Sequence, residues 1–359
     1  MTGPDNSPRG RGVGAASLGW VVCLSLTACS ANDDGADRLK HYLTQLARAA
    51  DSELPAAPPL ELPRLSEAKL HALAINTESV SALDFLALSG CELQVNLGRR
   101  NSSLGRNASA SQRLLLDLEL LRLAPQCVEQ LRAQGNAPLA EQLRGIVASR
   151  KSVLPKRIYN ALLAGPEYRH FWQLPPRLQD YPASASDDIV DALSALEHMI
   201  ERWLGGDYQA NNGQLEEQLS VLRAGDGGAL LLASATVARA LYPASGVLEK
   251  QQAVLNGCTN ENMTAVASMI QTVVSKLFTR ELQPWLAQLD RREVAVMTPL
   301  RRIETHLSAV LPANYQAWQS PRDTLLGTLG RAPKAHTSAI QTTLKRCAAR
   351  SSSPASTQG

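Results

Sequence analysis

The densest polar run in the chain is Arg99-Arg100-Asn101-Ser102-Ser103-Leu104-Gly105-Arg106. Three guanidiniums beside an amide and two hydroxyls form a donor set for a phosphate, a carboxylate or a sugar, since each arginine offers a planar fork of N–H groups. The run joins two apolar segments, so it is expected as a loop at one end of a helical bundle. The competing reading is a capped interhelical turn whose arginines face water or pair with acids. Arg99, Arg100, Asn101, Ser102, Ser103 and Arg106 are therefore candidate ligand-binding residues. Asp84 joins them: on a helical wheel it falls among Leu73, Val80, Leu88 and Val95. A buried lone carboxylate needs a partner or a raised pKa, and Arg113 or an arginine of the run would supply the partner.

Other groups point to packing more than to chemistry. Gly165–Trp172 gathers Tyr168, His170, Phe171 and Trp172 in a chain that is only 4% aromatic. Such rings could stack on a sugar or peptide, but they more often pack a bundle end. Gly225-Asp226-Gly227-Gly228 lacks the Lys-Ser/Thr of a phosphate-binding loop and reads as a turn. The histidines are His41, His71, His170, His198, His306 and His336, and no two have metal-ligand spacing. No Gly-x-Ser-x-Gly elbow and no Ser-x-x-Lys is present. The sequence thus offers no catalytic set, no metal site and no cofactor, and it leans away from an enzyme.

The thiol with the clearest assignment is Cys29. Arg9 and Arg11 precede a mostly apolar run of 14 residues, Val13–Leu26. A bilayer span needs about 20, so the run reads as an export signal. It ends in Leu26-Thr27-Ala28-Cys29, which resembles the lipobox of bacterial lipoproteins. The resemblance implies cleavage between Ala28 and Cys29 and diacylglycerol on the Cys29 sulfur; several acyl chains together give stable anchoring. Ser30 stands where inner-membrane retention signals usually carry Asp, which points to the outer membrane, facing the periplasm.

Removal of residues 1–28 takes away Arg9, Arg11 and Asp5, so the formal charge of +3 becomes +2. That excludes the basic footprint of a nucleic-acid binder. Cys91, Cys127, Cys258 and Cys347 remain for an oxidising compartment. Four cysteines allow three pairings; Cys91–Cys127 with Cys258–Cys347 is favoured, one bridge in each half of the chain.

These groups must be carried by helices. Leu, Ala and Gln are abundant, aromatics are few, and the apolar periodicity is helical throughout. The expectation is an all-α bundle of about ten or more helices with no sheet. The first helix spans Ala36–Ala50. Leu54–Pro63 holds Pro55, Pro58, Pro59 and Pro63 and is a stiff connector, completing an N-terminal segment over 29–64. A long, mostly buried helix is expected from Ser66 to about Leu97, with a possible break at Gly90. A third begins at Ser109 or Ser111 and stops at Pro125, a fourth follows Pro138, and shorter pieces cover Lys156–Ala164 and Glu167–Trp172. Leu174–Ser186, with three prolines, is the candidate boundary between helical halves at 65–173 and 187–349. Beyond it lie a helix capped by Ser186, then Gln214–Leu222, Ala229–Leu241, and Glu261–Leu289 kinked or divided at Pro284. Thr298-Pro299 and Ser320-Pro321 read as helix starts. Residues 350–359 read as a disordered tail.

Asn76-Thr77-Glu78-Ser79, Ser89-Gly90-Cys91-Glu92-Leu93 and Arg100–Gly105 resemble a family of proteobacterial envelope lipoproteins, found in pseudomonads and relatives, that carries a domain of unknown function. The resemblance implies an envelope location. It transfers no activity, ligand or catalytic residue. The expected role is a membrane-anchored protein that binds or scaffolds another envelope component. A periplasmic binder of anionic ligands or glycans is second, and a cell-wall or lipid hydrolase is last. Expected partners are the membrane, through Cys29, and another envelope protein or glycan.

Overall fold

A computed structural model describes residues 35–57, 59, 61–65, 72–76, 88, 90–255 and 261–351. The chain divides into Met1–Asn32 and Asp33–Gly359. The second unit is all-helical among the described residues, with no strand. Its helices are α1 (Gly35–Ala49), α2 (Leu93–Asn101), α3 (Ser103–Arg106), α4 (Ala110–Ala133), α5 (Ala137–Ala161), α6 (Pro166–Phe171) and α7 (Asp188–Leu204), followed by α8 (Asn212–Arg223), α9 (Gly227–Val254) and α10 (Glu261–Val273). A π-helical segment (Val274–Leu282) leads into α11 (Gln283–His306), and a 3₁₀ turn (Ser308–Val310) into α12 (Ala313–Leu326) and α13 (Thr328–Ser351).

Among the described residues, one apolar core runs from Leu39 on α1 to Ile340 on α13. The proline-rich stretch 174–186 does not separate two bodies. Leu178 and Tyr181 within it are buried, and Trp285 Nε1 of α11 donates to the Tyr181 carbonyl at 2.9 Å. By length and composition, the segment 212–252 holds a stretch apolar enough to cross a membrane, but 67% of that stretch is buried inside the body.

The expected helix from Ser66 to about Leu97 is not continuous: residues 72–76 are not helical, while 66–71, 77–87 and 89 lie outside the described residues. At residues 72–76 Asn160 of α5 takes both backbone groups of Leu73. Leu73 N–H donates to Asn160 Oδ1 at 2.7 Å, and Asn160 Nδ2 donates to the Leu73 carbonyl at 2.9 Å. Helical pairing has no claim left on that residue. Gly90, at φ +90°, turns the chain into α2. Cys91 and Cys127 form the expected disulfide, with Cα atoms 5.8 Å apart, and tie the start of α2 to α4. Cys258 and the Cys347 side chain lie outside the described residues, as do Asp84, His71 and Cys29.

Prolines misplace most of the expected boundaries. α4 runs through Pro125, α5 through Pro155, α9 through Pro243, α11 through Pro299, α12 through Pro321 and α13 through Pro333. A helix-interior proline costs about 3 kcal/mol. Around Pro125, however, α4 buries Leu120, Leu121, Leu123, Ala124, Cys127 and Val128. Burial of each larger apolar side chain is worth about 1.5–3 kcal/mol, which outweighs one lost hydrogen bond. Lys156–Ala164 is accordingly no separate helix, and Thr298-Pro299 and Ser320-Pro321 are not starts. Pro284 does fall at a division, in the first turn of α11. The cap position of α7 is Asp187, whose side chain makes no capping bond, and not the expected Ser186, which lies one residue earlier with its Oγ accepting from Asp188 N–H at 3.2 Å.

Candidate functional site

The polar run is not a loop. Arg99, Arg100 and Asn101 complete α2, and Ser103–Arg106 form the single turn α3. Ser102 separates them. Its Oγ donates to the Arg99 carbonyl at 2.6 Å and accepts from Gly105 N–H at 3.1 Å. Gly105 is required there, because a Cβ would stand 2.2 Å from the Arg99 carbonyl oxygen.

The six candidates divide among three fates. Arg99 and Ser102 line a cavity of about 490 Å³ between α2, α3, α4 and the entry to α8. Its walls are apolar at Leu104, Leu115, Leu116 and Tyr208, and polar at Arg99, Glu119 and Arg122. Arg100 turns inward to Asp117 of α4. Asn101, Ser103 and Arg106 are exposed outside the cavity. Arg113 donates to the Arg106 carbonyl at 2.7 Å.

Within the site, Glu119 accepts from Asn96 at 2.8 Å and from Arg99 at 3.3 Å. Arg106 and Arg122 have no ion pair among the described residues. The cavity therefore offers an uncommitted guanidinium, that of Arg122, against leucine and tyrosine walls. Lys151 Nζ lies 5.8 Å from the centre of the Tyr208 ring, adding positive charge at the rim. Chemically, such a set suits an anion that carries an apolar part.

The buried carboxylate foreseen at Asp84 has a counterpart that sequence reasoning missed. Asp117 is 1% exposed and meets Arg100, Arg157 Nε at 2.7 Å and Arg150 Nη1 at 3.8 Å. Burial pulls the Arg150 pKa down to about 10, with Arg100 and Arg157 pushing the same way and Asp117 opposing. The missed signal was a lone acid in Leu114-Leu115-Leu116-Asp117-Leu118, with Arg150 and Arg157 seven apart on one face of α5.

The aromatic octapeptide belongs elsewhere. Trp172, His170 and Arg169 line a separate cavity of about 480 Å³ with Arg64, distinct from the one lined by Arg99. Tyr168, Phe171 and Trp172 are buried; Phe171 packs on Tyr168 and Trp172, Tyr168 meets Tyr315 and Trp318 of α12, and Trp172 meets Trp318. Among them the Arg322 guanidinium sits 5.3 Å from the Trp172 ring and 4.8 Å from the Trp318 ring. It binds Glu304 in a bidentate pair at 2.6 and 2.8 Å. Tyr315 and Gln319 also donate to Glu304, at 2.5 and 2.7 Å. Burial first, then the Glu304 charge, hold the Tyr168 hydroxyl protonated far up the pH scale, and Tyr315 shifts likewise. Glu304 forms part of the floor of an open cavity of about 740 Å³, but its oxygens are already engaged by four donors. It is a structural anion, poorly placed to take a substrate proton.

The glycine turn is structural too. A Cβ on Gly228 would stand 1.9 Å from the Gln173 carbonyl oxygen, so only glycine admits the close contact. Asp226 accepts from Arg292 Nε and Nη2, each at 2.9 Å. Among the described residues, no three His, Cys, Asp or Glu side chains cluster as metal ligands.

No curated protein matches the chain, and no solved structure does. The family model described as "Protein of unknown function (DUF3080)" matches residues 39–351, from the first core leucine of α1 to the last residue of α13, and the chain belongs to that family.

Proposed function

We propose that the protein is a lipid-anchored envelope protein that binds an anionic, partly apolar ligand in the cavity between α2, α3, α4 and α8. The observation that carries the ligand reading is Arg122, a guanidinium without an ion pair, lining a cavity walled by Leu104, Leu115, Leu116 and Tyr208. An apolar pocket with a few convergent polar groups is the usual form of a small-ligand site. The tether rests on Leu26-Thr27-Ala28-Cys29. On this reading residues 1–28 are removed as a signal peptide, Cys29 carries diacylglycerol and palmitate, and the protein faces the periplasm from the outer membrane of a proteobacterial cell. Cys258–Cys347 is the second disulfide.

The tether is tested by labelling cells with radioactive palmitate. The parent protein incorporates label, while Cys29→Ala does not and leaves the membrane fraction. A Cys29→Ala form that matures and fractionates like the parent sinks the tether.

The ligand reading is tested on the body, residues 30–359. Thermal-shift screening with short-chain fatty acids, acyl phosphates and anionic sugars should yield ligands that raise the melting temperature. Saturation at about 100 times Kd corresponds to about 2.7 kcal/mol. Arg122→Ala should abolish the shift while leaving the unliganded melting temperature unchanged. Equal shifts in the parent and the variant would place the ligand elsewhere.

A further inference from the structure

The same site carries an outward face. Leu104 is 83% exposed and Val95 58% exposed, two of the most exposed large apolar side chains among the described residues. Val95 and Arg99 lie one turn apart on α2, and Leu104 stands at the tip formed by α3. Around that tip are the guanidiniums of Arg99, Arg106, Arg113 and Arg122. The nearby carboxylates are already engaged: Glu119 by Asn96 and Arg99, Glu216 by Ser111, and Asp117 by Arg100 and Arg157. The face is therefore an exposed leucine beside the guanidiniums of Arg106, Arg113 and Arg122, which have no ion pair among the described residues.

Resting on the anion-binding reading above, we propose that the tip is a lipid-docking surface. Leu104 enters the interface of an anionic bilayer, and the arginines, Arg106 and Arg122 foremost, hold the phospholipid phosphates. Two arguments choose a bilayer as the occupant. The first is charge complementarity: a basic surface with an apolar projection has the two attractions that place proteins on anionic membranes. The second is reach. Only residues 30–34 separate Cys29 from α1, and that stretch extends to about 20 Å at most. A body held by so short a leash meets the lipid surface continually, so weak contacts suffice to fix its orientation.

The test uses the unlipidated body, residues 30–359, because the Cys29 lipid would bind any vesicle. The body is mixed with vesicles of phosphatidylcholine alone or of phosphatidylcholine and phosphatidylglycerol in equal parts, then sedimented. The expected result is partitioning to the anionic vesicles only, lost near 1 M salt, where charges are screened beyond about 3 Å. Each arginine near the surface is worth about fivefold, so Arg106→Ala with Arg122→Ala should weaken binding about 30-fold. Leu104→Asp should weaken it about tenfold or more. All three side chains are exposed, so circular dichroism of the variants should match the parent.

Equal binding to both vesicle types, or to neither, overturns the proposal. So does anionic binding that both variants retain, and so does tight binding of free glycerol phosphate in place of the vesicle. Arginine-dependent crosslinking to one protein in cells, without vesicle binding, would assign the face to a protein and overturn it as well. Soluble anionic ligands that shift the melting temperature through Arg122 while vesicles fail would remove the docking surface and leave the ligand site standing.

Discussion

Glu304→Gln is expected to lower the unfolding free energy by about 3–5 kcal/mol, the range for breaking a buried ion pair from one side. Arg322 is 0% exposed and Glu304 is 3% exposed. Burial alone would pull the guanidinium pKa down, but the hydrogen bond to Glu304 and the neighbouring charges outweigh it, and the net shift is upward. Glutamine removes that charge and turns an N–H₂ toward donors that need an acceptor. Arg322 then keeps Asp323, at 2.9 Å, on a side chain that is 38% exposed. Urea unfolding followed by circular dichroism measures the loss. Tryptophan emission gives a second readout, since Trp172 and Trp318 flank the guanidinium. A loss under about 1 kcal/mol would mean that water reaches the pair and that it behaves as a surface bridge.

A double variant separates loss of the pair from damage to the fold. Arg322→Met together with Glu304→Gln leaves no uncompensated charge, and apolar replacement of a buried pair is often near neutral. The double variant should therefore be more stable than the two single losses added together, with a coupling of at least about 1 kcal/mol. Strict additivity would show that the residues act separately. The pair joins α11 and α12 and packs against α6, so its loss should be felt across the aromatic centre rather than at the Arg122 cavity. Ligand shifts through Arg122 should survive in whatever fraction remains folded.

What the sequence revealed follows from which forces are local. α1, α7 and the π-divided helix beginning at Glu261 were legible because their apolar residues repeat with the helix period. The prolines misled because a boundary rule assumes that the local cost decides. At Pro125 and Pro299 the core decides, through side chains that meet only in three dimensions. The non-helical backbone at Leu73 was hidden for a similar reason: its partner Asn160 is 87 residues away. The polar run was recognised by residue type, but its arginines could not be sorted. Arg99 and Arg100 are neighbours on one helix, so they point about 100° apart. One reaches Glu119 at the cavity and the other the buried Asp117. The leucines on either side of Asp117 held the information, and the partners on α5 were needed to interpret it.

His336 is the second residue whose weight lies in tertiary contact, and it sets the response to acid. The ring is 0% exposed and is held from three elements. Tyr42 of α1 pairs with Nε2 at 2.6 Å, Ser245 of α9 with Nδ1 at 3.1 Å, and the Phe278 ring packs at 5.0 Å. Ser245 Oγ also donates to the Leu241 carbonyl at 2.7 Å, so it accepts the proton of Nδ1, and Nε2 accepts from Tyr42. This is a neutral imidazole with both nitrogens satisfied. Burial lowers its pKa from 6.5 to about 4. The unfolded chain therefore binds the proton first, and the folded state resists it. The contribution is whole above pH 6.5 and is lost as pH falls toward 4, at up to about 1.4 kcal/mol per pH unit and about 3 kcal/mol in total. Urea unfolding between those limits should show that slope in the parent. His336→Gln, which keeps an acceptor for Tyr42 and cannot titrate, should lose it; identical slopes would refute the assignment. Carboxylates elsewhere contribute equally to both proteins and cancel in the difference. Because Tyr42 of α1 is a direct partner of the ring, acid loosens the α1 contact first, and hydrogen exchange in Gly35–Ala49 should rise in the parent below about pH 5 while α4 and α5 remain protected.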